Sequence, residues 1–226
     1  MNRGGSTASR GIVLFGDVVD SRRDPVRSSA WLRTLCSELE TLYPPDERVA
    51  GFGFTQGDEL QGLLAATADP LLAVLHAALD PEAMRMRWAV ALGQVEVGTG
   101  PATERTGEAF LRARELLEAT RFRRDGLLMS TGEPGADRLL DNLAPLLAEL
   151  LDDLSPRQRV IARLMLLEGL RQAEVAAELG VARATVSVAY ARGRVRPIDR
   201  LATALRSIFG AGRLALEDAA PAGAKG

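Results

Sequence analysis

The sequence predicts an α+β domain followed by an all-helical segment. In the first 130 residues, short apolar runs typical of strands are mixed with helical spacings, and these do not alternate strictly. From Asp141 onward only leucine-rich helical periodicity remains, and glycine and proline cluster between the two regions at residues 132–136. The expected order is strand, helix, hairpin, helix, strand, helix, strand, which favours a mostly antiparallel sheet covered by helices.

The first half of this order is read from apolar spacing and helix boundaries. The run Ile12-Val13-Leu14-Phe15 ends at Gly16 and predicts a buried strand. Residues 31–42 carry apolar side chains at helical spacing and stop before Pro44-Pro45, which predicts an amphipathic helix. Residues 49–55 and 60–64 flank Gln56-Gly57-Asp58-Glu59, the pattern of a β-hairpin.

The second half follows in the same way. Asp69-Pro70 can cap and begin a helix that runs to Leu79. Residues 88–95 predict a long strand, residues 107–120 a helix and residues 127–130 a last strand. The domain boundaries expected from these patterns are a disordered tail (1–9), the α+β domain (10–132), a linker with a connecting helix (133–154), a helix-turn-helix domain (155–210) and a second disordered tail (211–226).

Composition excludes several classes of protein. The 226 residues include one cysteine and one histidine, so an intramolecular disulfide and a cysteine- or histidine-rich metal site are excluded. No apolar run reaches the roughly 18–20 residues that span a bilayer, and the N-terminus lacks the apolar core of a signal peptide. We therefore expect a cytoplasmic protein with no membrane partner.

Charge is distributed unevenly along the chain. Residues 154–213 hold 11 arginines against four acidic residues, a net charge of +7, although the whole chain carries −2. A basic segment attached to an acidic body is typical of a nucleic-acid-binding appendage, while a solvated basic helix surface is the plainer interpretation.

The basic segment also has the pattern of a helix-turn-helix. Ser155 precedes Pro156 at the start of one helix, and Gly169 can end it. A short helix over 172–179 is followed by Gly180 and by a third helix from about Ala182 to Arg194. In such a motif the last helix enters the major groove of DNA, where its donors meet base edges or phosphates. The residues expected to contact double-stranded DNA are Arg183, Thr185, Ser187, Arg192 and Arg194.

The stretch EGLRQAEVAAELGVARATVSVAY resembles the fourth-region helix-turn-helix of sigma factors. This resemblance implies DNA binding, RNA polymerase as a further partner, or both. A helical bundle that docks only a protein, such as a module that contacts RNA polymerase without reading DNA, is the alternative.

Acidic residues follow two of the predicted strands. Asp17 comes directly after the first strand, and Asp58 and Glu59 lie at the tip of the hairpin. Two such carboxylates together with nucleotide phosphates would satisfy Mg²⁺, which keeps few protein ligands. Phosphate oxygens would also suit the donors that follow, Ser21, Arg22 and Arg23. An ordinary hairpin turn and a surface loop explain the same residues without any ligand.

The order of these motifs resembles the class III nucleotidyl cyclase domain, and more closely the SatD-like family. Members of that family pair GD-x-x-x-SR with GDE-x-Q, as this chain does from Gly16 and from Gly57, and often carry a C-terminal helix-turn-helix. The resemblance covers about residues 10–130. It implies a ferredoxin-like βαββαβ core, metal binding by Asp17 and Asp58, a nucleotide ligand held with Mg²⁺, and a homodimer.

The chain departs from active cyclases where the transition state is stabilised. The position of the family's Asn holds Leu111, Arg114 and Glu115 lie where its Arg is expected, and the base-selecting Lys is replaced by Phe54. Loss of one such donor costs about 10²–10³ in rate, so the sequence favours binding over turnover without deciding whether the chain is an enzyme. It predicts a sequence-specific transcription regulator that senses a nucleotide, with an active cyclase or other phosphoryl-transfer enzyme as the alternative.

Overall fold

The computed structural model describes residues 9–54 and 59–218, and it consists of one five-stranded sheet and eight α-helices within those ranges. The strands are β1 (Ser9–Val18), β2 (Arg48–Phe54), β3 (Glu59–Ala65), β4 (Met86–Val95) and β5 (Leu127–Ser130). The helices are α1 (Pro25–Leu42), α2 (Pro70–Ala78), α3 (Glu108–Arg123), α4 (Pro134–Asp152), α5 (Pro156–Leu166), α6 (Gln172–Glu178), α7 (Arg183–Arg192) and α8 (Val195–Asp218).

The sheet has the strand order β2-β3-β1-β4-β5. The first three neighbouring pairs are antiparallel, and β5 is added parallel to β4. The connection β1-α1-β2 passes over β3, and β3-α2-β4 passes over β1, which gives a ferredoxin-like core with one additional strand. The predicted α+β fold is therefore confirmed, with a mixed sheet because of its parallel edge strand.

Several helices begin where the sequence places a cap. The Asp69 carboxylate accepts a hydrogen bond from the Leu71 backbone N–H at 3.0 Å, just before Pro70. Ser155 and Gln158 form a reciprocal capping box at the start of α5. Both helix starts match the prediction, because a capping side chain and a following proline satisfy the free N–H groups of a first turn locally.

Each face of the sheet is covered by a separate hydrophobic core. The even-numbered apolar side chains of β1 and β4 pack with α1, α2, α4 and α8 in the larger core. The odd-numbered ones pack against α3 in the smaller core, around Phe15 and Phe110. Because side chains alternate along a strand, Asp17 lies on the α3 side of the sheet.

The last helix returns to the α+β body. Along α8, Leu205, Phe209 and Gly212 are buried, and the larger core contains side chains of both α8 and the sheet. The helix continues to Asp218, so the disordered tail expected from residue 211 is not observed for 211–218. The helix formers Ala, Leu, Arg and Glu within 211–217, together with the packing of Phe209 and Gly212, explain the difference.

Ser9, the last residue of the predicted N-terminal tail, is the first residue of β1, because it pairs with Val95 of β4. The rest of the predicted tails, 1–8 and 219–226, lies outside the described residues. Within the described ranges, none of the helices combines the length and the apolar character that a membrane crossing requires.

Candidate functional site

The helix-turn-helix consists of α5, α6 and α7 around a small core of their own. That core is formed by Ile161, Leu164, Val175, Ala176 and Val186. Gly169 and Gly180, which separate the three helices, have positive φ angles of 72° and 63°. Glycine adopts this left-handed conformation without steric cost, and this is why the two turns could be located from the sequence.

Helix α7 presents most of its surface to solvent. Only Val186 is buried, while Arg183, Thr185, Ser187 and Arg192 are exposed. None of these four side chains forms an ion pair or a side-chain hydrogen bond with the part of the chain that the structure describes. The donors predicted to contact DNA are thus available, with the exception described next.

Arg194 lies in the break between α7 and α8 and not on α7 itself. Its φ angle of 51° ends the helical path, and its guanidinium forms an ion pair with Asp153 at the end of α4. In this arrangement Arg194 joins the helix-turn-helix to the body, and it would have to leave Asp153 to contact a phosphate. Its predicted role in DNA binding remains a prediction.

A groove beside α7 contains residues that the sequence analysis did not single out. It has a volume of about 480 Å³ and lies between the start of α5 and the outward side of α7. Arg157 lines one side and Arg192 the other, with Val188, which is 51% exposed, between them. Arg157, in the first turn of α5, was the sequence feature that could have indicated this groove. Its proximity to α7 depends on how the two helices cross.

The carboxylate of Asp17 is buried and bridges two arginines. Asp17 is 3% exposed, and its two oxygens lie 3.3 Å from Arg87 Nη1 and 3.1 Å from Arg121 Nη2. Arg87 is directly opposite Asp17 on β4, whereas Arg121 comes from the last turn of α3. Both oxygens therefore already accept hydrogen bonds from guanidinium groups.

The neighbouring carboxylate, Glu59, is held in the same way. Glu59 is opposite Asp17 on β3, which confirms that the first strand and the hairpin are neighbours. Arg114 of α3 forms a bidentate ion pair with Glu59, and the guanidinium also lies 4.6 Å from the centre of the Phe15 ring. Gln61 donates a further hydrogen bond to Glu59 at 2.8 Å.

The other predicted ligand residues are divided between buried and exposed positions. Ser21 is buried at the start of a short 3-10 turn, and its backbone oxygen accepts a hydrogen bond from Ser28 Oγ at 3.4 Å. Arg22 and Arg23 are exposed, and Arg23 lies 3.5 Å from Asp20. Asp58, the second predicted metal ligand, lies outside the described residues.

Arginines surround Asp17 in the described residues, and both of its oxygens are bound to them. Mg²⁺ takes carboxylate oxygens as ligands, so the ion would compete with Arg87 and Arg121 for the same oxygens. In the described part of the chain, no group of three or more acidic, histidine or cysteine side chains is arranged to hold a metal ion. Metal binding by Asp17 together with Asp58 stays a prediction.

Comparisons with known proteins bear mainly on the C-terminal half. The family model "Sigma-70, region 4" matches residues 145–196, which include all of α5, α6 and α7. This supports the predicted helix-turn-helix and a regulatory role in DNA binding or in contact with RNA polymerase. No curated protein matches the chain, and the resemblance to the SatD-like family stays a prediction.

Part of this chain is similar to a solved structure. The structure of a bacterial light-regulated adenylyl cyclase matches at 13% identity with a TM-score of 0.41. The match covers 57% of this chain and 45% of that one, so the chain spans less than half the length of that structure.

Proposed function

We propose that this chain is a transcription regulator that binds double-stranded DNA in a sequence-specific manner through α7. The observation that carries the proposal is the exposed, unengaged row of donors on that helix, within a segment that matches sigma-70 region 4. Arg183, Thr185 and Ser187 lie in its first half, where a recognition helix meets base edges. The regulator acts where its DNA is, in the cytoplasm.

The charges around α7 support contact with a polyanion. Arg157 and Arg192 flank the groove beside α7, and both are exposed. On α6, Glu174 is already paired with Arg171, which lowers the pKa of Glu174 to about 2. This carboxylate is therefore paired with its own neighbour, and phosphates that approach the groove beside α7 meet Arg157 and Arg192.

We further propose that the regulator is a homodimer that responds to a nucleotide bound by the α+β body. A single recognition helix contacts few base pairs, and two copies would read half-sites about 34–36 Å apart. The nucleotide is inferred from the motifs GD-x-x-x-SR and GDE-x-Q, with Ser21, Arg22 and Arg23 as phosphate donors.

Binding to duplexes selected from a random pool tests the DNA-binding proposal. We expect fluorescence anisotropy to show an affinity that falls steeply with salt, with a slope that decreases by about 0.9 for each phosphate contact removed. Arg192→Ala should weaken all duplexes alike, and Arg183→Ala should in addition relax sequence preference. Arg33→Ala, which removes an exposed arginine from α1, is the matched control and should change neither property.

Two results would assign a different function. Capture of RNA polymerase by the chain, combined with no salt-sensitive binding to any duplex, would favour a polymerase-contacting module. Turnover of ATP or GTP with Mg²⁺ or Mn²⁺, abolished by Asp58→Ala, would favour an enzyme. We expect no turnover, because Leu111 is 69% exposed at the position of the cyclase Asn, and Arg114 is occupied by Glu59.

A further inference from the structure

Four arginines converge on one recess at the edge of the α+β body. The recess has a volume of about 240 Å³ and lies where the start of β4, the end of α3 and the turn before β5 meet. Its lining includes Arg85, Arg87, Arg121 and Arg124. A water molecule takes up about 30 Å³ of liquid volume, so the recess has room for a small polyatomic anion.

Two of these arginines are held by Asp17 and keep further N–H donors outside that contact. Arg87 and Arg121 each donate from one terminal nitrogen to the buried carboxylate, and a guanidinium has five N–H donors. One negative charge therefore serves two positive ones. The pair keeps an excess of charge and of donors at the floor of the recess.

The other two arginines add donors to the recess, and Arg124 also adds charge. Arg85 donates from Nε to Asp152 at 2.6 Å, which leaves its two terminal nitrogens outside this contact. Arg124 is exposed and forms no ion pair with the residues that the structure describes. The lining carboxylate, Asp125, lies 2.7 Å from Arg123, which does not line the recess and also pairs with Asp141. The four lining arginines therefore still outnumber their three carboxylate neighbours, Asp17, Asp125 and Asp152.

We infer that this recess binds the phosphoryl groups of an anionic ligand, without a metal ion. Guanidinium groups match phosphate oxygens with paired N–H donors, and they stay charged at every physiological pH. The inference deepens the proposed nucleotide response and rests on it only for its biological role. It places the phosphate donors around the start of β4 and the end of α3, whereas the sequence motifs place them at Ser21, Arg22 and Arg23.

Isothermal titration calorimetry of the full chain with inorganic pyrophosphate and with ATP, both in EDTA, tests this inference. We expect both to bind to the wild type, and Arg124→Asn to weaken both about tenfold, because one charge-assisted hydrogen bond is lost. Asn tolerates the left-handed backbone at this position, where φ is 60°. Arg121→Lys keeps the charge beside Asp17 but removes the planar fork, and it should also weaken binding. Arg33→Ala should leave binding unchanged.

The outcomes separate the sources of the ligand. Tighter binding of ATP than of pyrophosphate would support a nucleotide, and equal binding would support an inorganic phosphate. Absence of binding in EDTA, or binding that Arg124→Asn does not weaken, would overturn the inference. Anisotropy with DNA in the absence of either anion reports separately on the proposed function, so failure of one does not imply failure of the other.

Discussion

Replacing Asp17 by Asn tests whether its carboxylate anchors two arginines or serves as a metal ligand. The substitution preserves shape but leaves a single acceptor oxygen, so only one of Arg87 and Arg121 can keep its hydrogen bond. In the first case the variant is less stable than the wild type. In the second case removal of an unpartnered buried charge leaves the metal-free protein equally stable or more stable.

The expected loss in the free energy of unfolding follows from the hydrogen bonds of Asp17 with Arg87 and Arg121. A hydrogen bond to a charged group contributes about 1.5–3 kcal/mol when it is shielded from water. The side chains of Arg87 and Arg121 are 27% and 53% exposed, so we take the lower end, about 1.5 kcal/mol. For a chain of this size, that loss lowers the melting temperature by about 3–6 °C.

The assay is urea denaturation of the wild type and of Asp17→Asn, each in EDTA and in excess MgCl₂. We expect the same loss of stability in both buffers. Asp20→Asn is the matched control, because its ion pair with Arg23 lies on the surface and contributes at most about 0.5 kcal/mol. A variant as stable as the wild type in EDTA, together with a magnesium-induced stabilisation that only the wild type shows, would refute the anchoring role.

Two further predictions concern α8 and the buried thiol. Gly212→Ala should destabilise the protein by about 1–3 kcal/mol, since the new Cβ would lie 2.5 Å from Thr131 Oγ1. Gly210→Ala, with open space around the new Cβ, should stabilise it by about 0.5–1 kcal/mol; equal effects in thermal melts would contradict the docking of α8. Burial, reinforced by Glu40, raises the pKa of the Cys36 thiol from 9.0 to about 11. The thiol therefore ionises first in the unfolded chain, and the free energy of unfolding should decline as the pH rises above 9. Denaturation curves at several pH values measure this decline, which should be smaller in Cys36→Ala.

Local patterns in the sequence were sufficient to predict the strands of the sheet and the helix-turn-helix, although not α8. The caps at Asp69 and Ser155 and the glycine turns at Gly169 and Gly180 act over three or four residues, so they can be read without knowledge of the fold. Within α7 the structure buries only Val186, whereas the equally apolar Val188 is exposed, and this choice depends on contacts with α5 and α6.

The surroundings of the predicted ligand residues depend on contacts between distant parts of the chain. Asp17 and Arg121 are 104 residues apart, and they meet only because the sheet register and the placement of α3 bring them together. No local pattern encodes that contact, so a carboxylate after a strand could be interpreted as a metal ligand. The docking of α8 was missed for the same reason, because an amphipathic helix shows which side it buries but not the surface against which it is buried.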